Sequence, residues 1–298
     1  MNTFDINNLV RENVKQMKPY SSARDEFEDF DTAQMIFLDA NENPFENGVN
    51  RYPDPQQQSV KSILGQNKGL QKKQILLGNG SDEVLDLLFR GFCEPKTDNI
   101  ITLPPTYGMY SVLANLNDVT NKEVLLTNEF QPNIEAILEA VDANTKIIFL
   151  CSPNNPTGNS FSDESVVYLL NNFKGLVVID EAYIDFSTKA SWVNELDAYP
   201  NLVITQTLSK AYGLAGIRLG ICYASEAIIG VLNKIKPPYN VNELTQQRAI
   251  ERLQQPAKID LEIASIIAQR ELSLKALLKV NFVEVVYPTE ANFVLIKV

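Results

Sequence analysis

The sequence predicts an α/β fold: a three-layer, mostly parallel sheet covered by helices on both faces, followed by a smaller α+β domain. Three observations carry this. Short continuous apolar runs, such as Leu176-Val177-Val178-Ile179, alternate with helix-like segments, and strands buried on both faces read this way. Several runs end in Gly-, Pro- or Asn-rich turns, such as Ser152-Pro153-Asn154-Asn155-Pro156-Thr157-Gly158. After Pro237-Pro238-Tyr239-Asn240 the alternation gives way to two helical segments and two terminal strands.

Residues 1–35 are polar and acidic, with an amphipathic patch at Leu9-Val10, Val14 and Met17. They are expected to form an N-terminal arm associated with the smaller domain. Ile36-Phe37-Leu38-Asp39 reads as a short strand leading into an irregular loop rich in Asn and Pro. Ile75-Leu76-Leu77 is a strand, and Gly78-Asn79-Gly80-Ser81-Asp82-Glu83 opens a helix running through Cys93. Ser81 suits its N-cap, and Asp82 and Glu83 suit its first turn. Strand, glycine turn and helix start together form an anion site from backbone N–H groups, although many α/β turns share that pattern.

Asn99 to Leu103 is a strand ended by Pro104-Pro105-Thr106-Tyr107-Gly108-Met109-Tyr110, with a helix to Asn115. Val124-Leu125-Leu126 reads as a strand and Asn133 to Val141 as a helix. Lys146 to Leu150 is a buried strand, and Ser162 caps a helix to Phe173. Leu176 to Ile179 ends in Asp180-Glu181-Ala182-Tyr183; strands at Asn201–Thr205 and Leu219–Tyr223 follow. The large domain is expected over 36–238. The smaller one, over 239–298, holds helices from Asn242 to Leu253 and from Ala257 to about Lys279, then strands at Phe282–Val286 and Asn292–Ile296. A strand running to Val298 with no covering helix after it makes that domain read as C-terminally incomplete.

Composition narrows the function. The 298 residues are 45% hydrophobic and 21% charged, ordinary for a globular enzyme. No apolar run reaches membrane length, and Met1 to Arg11 lacks a secretory pattern. Cys93, Cys151 and Cys222 are scattered, without disulfide or zinc spacing, which fits a cytoplasmic setting. A net charge of −11 disfavours nucleic acid and anionic membranes as partners. The chain has no histidine. That excludes Ser-His-Asp and Cys-His catalysis and histidine-bound metals, leaving acid–base work to Lys, Tyr, Asp, Glu or Cys.

Thr207-Leu208-Ser209-Lys210-Ala211-Tyr212-Gly213-Leu214-Ala215-Gly216-Ile217-Arg218 carries the chemistry. A lysine amine can hold an aldehyde as a Schiff base. Thr207, Ser209 and Arg218 are the groups a phosphate needs beside it. Pyridoxal phosphate is the cofactor that joins those two demands. Asp180, ending an apolar strand, could pair with its pyridinium nitrogen, Asn155 and Tyr183 could reach its phenolic oxygen, Ser81 and the Asp82 backbone its phosphate, and Tyr107 its ring face. Each part is ambiguous alone: a lysine after a strand is commonly a surface lysine, and Asp-Glu after a strand also serves Mg²⁺ or ribose. Their conjunction points to the cofactor. In parallel sheets ligands gather beyond the strands' carboxyl ends, so Asn155, Asp180 and Lys210 can converge.

Ser152–Gly158, Asp180–Tyr183 and Thr207–Arg218 resemble the corresponding segments of fold-type I pyridoxal-phosphate-dependent aminotransferases. Leu38-Asp39-Ala40-Asn41-Glu42-Asn43-Pro44, Arg51-Tyr52-Pro53-Asp54-Pro55, the Gly78–Glu83 turn and the Pro104–Tyr110 segment are more narrowly similar to the histidinol-phosphate aminotransferase family, over about Pro19 to Val298. The resemblance implies a catalytic Lys210 bound to the cofactor aldehyde, Asp180 on the ring nitrogen, Asn155 and Tyr183 on the phenolic oxygen, and Tyr107 stacked on the ring. It implies that Ser81, Asp82, Thr207, Ser209 and Arg218 hold the phosphate, joined by Tyr52 from the neighbouring subunit of a homodimer. Tyr20 and Asn43 would lie near the substrate. The implied reaction is ping-pong transamination between glutamate/2-oxoglutarate and imidazole acetol phosphate/histidinol phosphate, in histidine biosynthesis. Family members also carry, beyond the position of Val298, an arginine for the substrate's anionic group. A threonine-phosphate decarboxylase, an aromatic aminotransferase, or an inactive cofactor-binding relative would use the same scaffold.

Overall fold

The apolar runs become one seven-stranded sheet. The computed structural model describes residues 4–18 and 37–298, and the first described α-helix is the short α1 (Glu12–Gln16). The large unit then runs α2 (Gln58–Lys68), β1 (Ile75–Asn79), α3 (Ser81–Phe92), β2 (Asn99–Thr102), α4 (Met109–Leu116), β3 (Thr120–Glu123), α5 (Ile134–Ala140), β4 (Thr145–Cys151), α6 (Asp163–Asn172), β5 (Leu176–Asp180), β6 (Leu202–Thr207), β7 (Leu219–Ala224) and α7 (Glu226–Ile235). The spatial order is β1-β7-β6-β5-β4-β2-β3. The strands from β3 to β6 pair in parallel, while β7 is antiparallel to both its neighbours.

Each central strand alternates its side chains between two cores. Leu77, Ile148, Leu150, Val177, Ile179 and Ile204 face one layer with α2, α5 and α6. Leu76, Ile147, Phe149, Val178 and Val203 face the other with α3, α4 and α7. That period of two, with both faces apolar, produces the continuous runs read in the sequence. Truncating a fully buried member such as Ile179 to Ala removes its transfer free energy and leaves a cavity, about 2–5 kcal/mol in all.

Four expectations need correction. The short strand expected at 36–39 does not form across Phe37–Asp39, where the chain enters an irregular loop; Ile36 lies outside the described residues. The strand expected at Val124–Leu126 lies instead at Thr120–Glu123. It is the sheet's edge, where polar residues suffice for the ladder, and Leu125 is left 69% exposed. The N-cap of α3 is Gly80 rather than Ser81, because the turn needs a φ of +81° there. A Cβ on Gly80 would also meet Arg218 Nη2 at 2.7 Å. Finally, of the arm placed with the smaller domain, the described part packs on the sheet's helical layer: Leu9, Val10 and Val14 enter the core of α3 and α7, and the Arg11 guanidinium donates to the Arg90 carbonyl at 3.1 Å.

Beyond Pro237 come α8 (Glu243–Leu253), α9 (Pro256–Leu277), and a ribbon of β8 (Val285–Val286) with β9 (Ile296–Lys297). Asn242 caps α8, accepting from the Thr245 N–H at 2.9 Å, and proline opens α9. The two strands are shorter than the apolar runs suggest, since a lone two-stranded ribbon has little to hold a longer ladder. Ile263, Ile266 and Ile267 of α9 and Phe293 pack against Tyr183, Phe186, Ala211 and Ala291, a small third core beside the cleft described below.

One buried charge invites a test. Lys61 of α2 is 4% exposed, and burial, with the charge of Lys236 beside it, pushes its ammonium down to about 8 from the usual 10.5. Between those values the unfolded chain binds a proton that the folded chain releases, so stability rises with pH across that window. Lys61→Met is expected to stabilise the chain at pH 7 by about 3 kcal/mol, with the gain fading toward pH ~10.5. Urea unfolding at the two pH values checks it; equal effects at both would refute the assignment.

Candidate active site

The parallel register brings the chemistry to one edge. Cys151 of β4 pairs with Asp180 of β5, and Asp180 with Thr205 of β6. The turns that follow those residues therefore open side by side at the strands' carboxyl ends, where α/β sheets bind ligands. Lys210, Asp180, Asn155, Tyr183, Tyr107, Thr207, Ser209, Arg218, Ser81 and Asp82, all singled out in the sequence, line one cleft there with Cys151 and Ala182.

Lys210 leaves the end of β6 on the turn it begins, which is closed by the Gly213 N–H donating to the Lys210 carbonyl at 3.1 Å. Gly213 has φ +68°, which favours glycine there. The Lys210 ammonium stands 5.5 Å from the centre of the Tyr183 ring, within cation–π range. Asn155 Nδ2 donates to Tyr183 Oη at 3.3 Å. The phenol of Tyr183 has its pKa raised, first by burial and then by the fields of Cys151 and Asp180. Protonated phenol and amide together present hydrogen-bond donors to whatever oxygen lies between them.

Asp180 is 3% exposed. Burial raises its pKa, opposed by the Tyr110 hydroxyl and the Ala182 N–H, which donate to its two oxygens at 2.9 and 3.2 Å. Tyr110 is itself fixed by stacking on Phe149, centroids 4.8 Å apart, and by the edge of Tyr107 at 5.6 Å. A carboxylate held this way would be relieved by a buried cationic N–H. Tyr107 Oη donates to Asp82 Oδ1 at 3.1 Å, so its ring forms a wall of the cleft.

At the other end the start of α3 meets β7. Gly220 lets them touch: a Cβ there would come within 2.3 Å of the Gly80 carbonyl carbon and the Ser81 nitrogen. The Gly80 N–H donates to the Arg218 carbonyl at 2.7 Å. With Gly80 as cap, the first N–H groups of α3 lack intrahelical partners and carry the positive end of the helix dipole. Thr207 and Ser209 hydroxyls lie 3.0 Å apart, and Arg218 Nη2 is 3.5 Å from Asp82 Oδ2. Backbone N–H groups, two hydroxyls and a guanidinium thus converge as a phosphate cradle does.

Two sequence candidates lie elsewhere, and a third is outside the described residues. Asn43 is exposed in the 37–57 loop, its side-chain oxygen accepting from the Phe45 N–H at 2.9 Å. Tyr52 is 50% exposed and stacks on Tyr239 at 4.6 Å. Tyr20 lies outside the described residues. Two residues carry more than their sequence suggested. In the sequence Tyr110 stands only as the last residue of the Pro104–Tyr110 segment, yet its hydroxyl donates to Asp180. Asn154, fully buried, donates to the Pro105 carbonyl at 2.9 Å and accepts from the Thr106 hydroxyl at 2.9 Å, tying the Asn155 turn to the loop before Tyr107. Only contact across the fold reveals either. Among the described residues no group of three or more His, Cys, Asp or Glu is placed to hold a metal, and no helix is long and apolar enough to cross a membrane.

The model of the family "Aminotransferase class I and II" matches residues 29–298. A histidinol-phosphate aminotransferase from Flavobacterium johnsoniae is 80% identical over 298 residues, covering 100% of this chain and 85% of that protein. The crystal structure of the histidinol-phosphate aminotransferase from Clostridium acetobutylicum is similar with a TM-score of 0.76 and 26% identity, over 83% of this chain and 74% of that one. The Sinorhizobium meliloti histidinol-phosphate aminotransferase, crystallised in complex with pyridoxal-5'-phosphate, shares the fold at a TM-score of 0.76 and 23% identity, over 82% of this chain and 67% of that one. The chain belongs to the class I and II aminotransferases, and within them to the histidinol-phosphate aminotransferases.

Proposed function

We propose that this chain transfers an amino group between glutamate/2-oxoglutarate and imidazole acetol phosphate/histidinol phosphate, in histidine biosynthesis in the cytoplasm. The observation that carries it is the cleft itself, where an accessible lysine, a desolvated carboxylate and a phosphate-type cradle converge in a family of transaminases. The cofactor is pyridoxal 5'-phosphate. When bound, it supplies an aldehyde for amines and a ring that accepts electron density from the substrate's Cα. The side chains present fit it. Arg218, Thr207, Ser209 and the start of α3 suit its phosphate, Asp180 its ring nitrogen, Asn155 and Tyr183 its phenolic oxygen, Tyr107 its ring face and Lys210 its aldehyde.

With the cofactor bound, Lys210 would be the residue that holds its aldehyde, and its freed Nζ would be the general base and acid that takes and returns the proton of the substrate's Cα. Asp180 would face the ring nitrogen, and the cleft walls would restrict water. Incubating the cofactor-loaded chain with glutamate and imidazole acetol phosphate should yield 2-oxoglutarate and histidinol phosphate. CO₂ from threonine phosphate with no 2-oxoglutarate would establish the decarboxylase instead.

The working form is a homodimer with shared sites. Leu38, Phe45, Val49 and Tyr52 of the 37–57 loop and Leu244 at the start of α8 are half or more exposed. The last three border one hollow with Arg51. An apolar surface of that kind is commonly covered by a partner. From it Tyr52 would reach the neighbour's phosphate cradle, and Asn43 and Tyr20 the substrate. Tyr52→Ala is expected to weaken cofactor binding about tenfold, the scale of one hydrogen bond to a charged group. Mixed with an inactive Lys210→Ala chain, it should regain activity through hybrid dimers holding one intact site. Equal activity before and after mixing would rule out sharing.

A further inference from the structure

The loop between β6 and β7 carries Lys210 at its start and Arg218 at its end. Its own backbone bonds are short-range: Leu208 N–H to the Leu219 carbonyl, Leu214 N–H to the Leu208 carbonyl, Gly213 N–H to the Lys210 carbonyl, Ile217 N–H to the Leu214 carbonyl and Arg218 N–H to the Ala215 carbonyl, at 3.0–3.4 Å. Three further carbonyls are held from outside: that of Arg218 by the Gly80 N–H at 2.7 Å, and two by α8. Arg252 Nε donates to the Tyr212 carbonyl at 2.9 Å, two residues after Lys210. Thr245 Oγ1 donates to the Ile217 carbonyl at 2.9 Å, immediately before Arg218.

Thr245 and Arg252 lie two turns apart on one helix, so their spacing is set by helical geometry, about 10 Å. The helix itself is anchored. Asn242 caps it at the Thr245 N–H, Ala249 and Leu253 enter the main core, and Gln246 Nε2 donates to the Asp54 carbonyl at 3.2 Å. The Arg252 side chain is 10% exposed, and its other nitrogens meet the Glu262 carboxylate of α9. A buried guanidinium paired with a carboxylate and pointed at a carbonyl has little freedom to drift.

We propose that α8 is a strut for the cofactor loop, with Arg252 a positioning residue for Lys210 and Thr245 one for Arg218. This rests on the cofactor reading above. The strut makes separable predictions, because the two contacts sit at opposite ends of the loop. Losing the Arg252 bond should loosen the lysine end, and losing the Thr245 bond the phosphate end.

The test uses the full chain and three measurements: hydrogen exchange of the 208–218 segment without added cofactor, affinity for pyridoxal phosphate and for inorganic phosphate, and the pH midpoint of the visible absorbance of cofactor bound at Lys210. Arg252→Gln is expected to speed exchange about tenfold and to move the pH midpoint, the scale of one lost charge-assisted bond, while leaving phosphate affinity near wild type. Arg252→Lys, which still offers a donor, should restore part of both. Thr245→Val should weaken phosphate and cofactor affinity by about fivefold, one neutral bond's worth, with the pH midpoint unchanged. A merely structural role predicts lower thermal stability with wild-type exchange, affinities and midpoint, and that outcome overturns the proposal, as does an identical response of all three measurements in both variants. If Arg252→Gln fails to fold, Glu262→Gln decides, since that carboxylate is 44% exposed. It should produce the same changes as Arg252→Gln at smaller size, and wild-type exchange and midpoint would refute the strut. A wild-type chain that shows no visible absorbance with pyridoxal phosphate would instead sink the cofactor reading, while the exchange measurement would still judge the strut.

Discussion

Lys210→Ala is expected to abolish the visible absorbance of bound cofactor and to lower transamination by at least ~10⁴-fold, because the variant loses both the covalent anchor and the proton-transferring amine. Lys210 is the one lysine among the described residues lining the cleft, so no neighbour stands ready to substitute. The residue is exposed where it lines the cleft, and truncating an exposed residue usually changes stability by no more than about 0.5 kcal/mol. The melting temperature without cofactor should therefore match wild type, separating lost chemistry from lost fold. Lys210→Arg sharpens the result: it keeps a positive charge near Tyr183 but cannot deprotonate to act as a nucleophile. If the arginine variant retained the absorbance, or the alanine variant kept a tenth of the activity, another amine would hold the aldehyde.

How much of this was legible in the sequence depends on the range of the interactions involved. The central strands announced themselves because both faces of β4, β5 and β6 are buried, which forces apolar residues at consecutive positions. Edge strand β3 obeys no such constraint, and its polar Thr-Asn-Lys-Glu gave no signal. Gly80 rather than Ser81 is the cap because the turn takes a φ of +81° there, and Arg218, 138 positions on, overlies that turn and leaves no room for a Cβ. The chemistry of the cleft was legible as residue types at the ends of strands; the sheet's register then brings them together. What no local pattern displays is the layer behind them. Tyr110 holds Asp180, Asn154 ties two loops together, and Arg252 and Thr245 grip the loop of Lys210 from a helix beyond the large unit's last strand. Such contacts depend on the packing of distant elements, and their residue types are unremarkable where they stand in the chain.

Asp180→Asn is expected to act in opposite directions on the empty and the loaded protein. Without cofactor, burial raises the carboxyl's pKa, and the Tyr110 hydroxyl and Ala182 N–H offset only part of that. A group whose pKa is raised on folding contributes stability below its unfolded pKa, and that contribution is lost as pH rises through the folded value. Above the unfolded pKa the wild-type chain must either desolvate the Asp180 charge or bind a proton on folding, and the near-isosteric amide does neither. The cofactor-free variant should unfold at higher temperature than wild type at pH 7, and the difference should shrink as the pH falls toward the unfolded carboxyl's ordinary pKa of ~4, below which the group is protonated in both states. With cofactor the order reverses. The neutral amide cannot pair with a protonated ring nitrogen, so the same substitution should weaken cofactor binding and lower turnover on the order of 10²–10³-fold, the scale of removing one preorganised electrostatic contact. Tyr110→Phe serves as the control: it removes a donor to Asp180 Oδ2 while keeping the carboxylate, so it should lower the cofactor-free stability and spare most of the turnover. Thermal melts with and without pyridoxal phosphate, at pH 7 and pH 4, decide the matter. A destabilised cofactor-free Asp180→Asn chain would show that the charge is already satisfied within the protein. An unchanged turnover would show that Asp180 does not face the ring nitrogen.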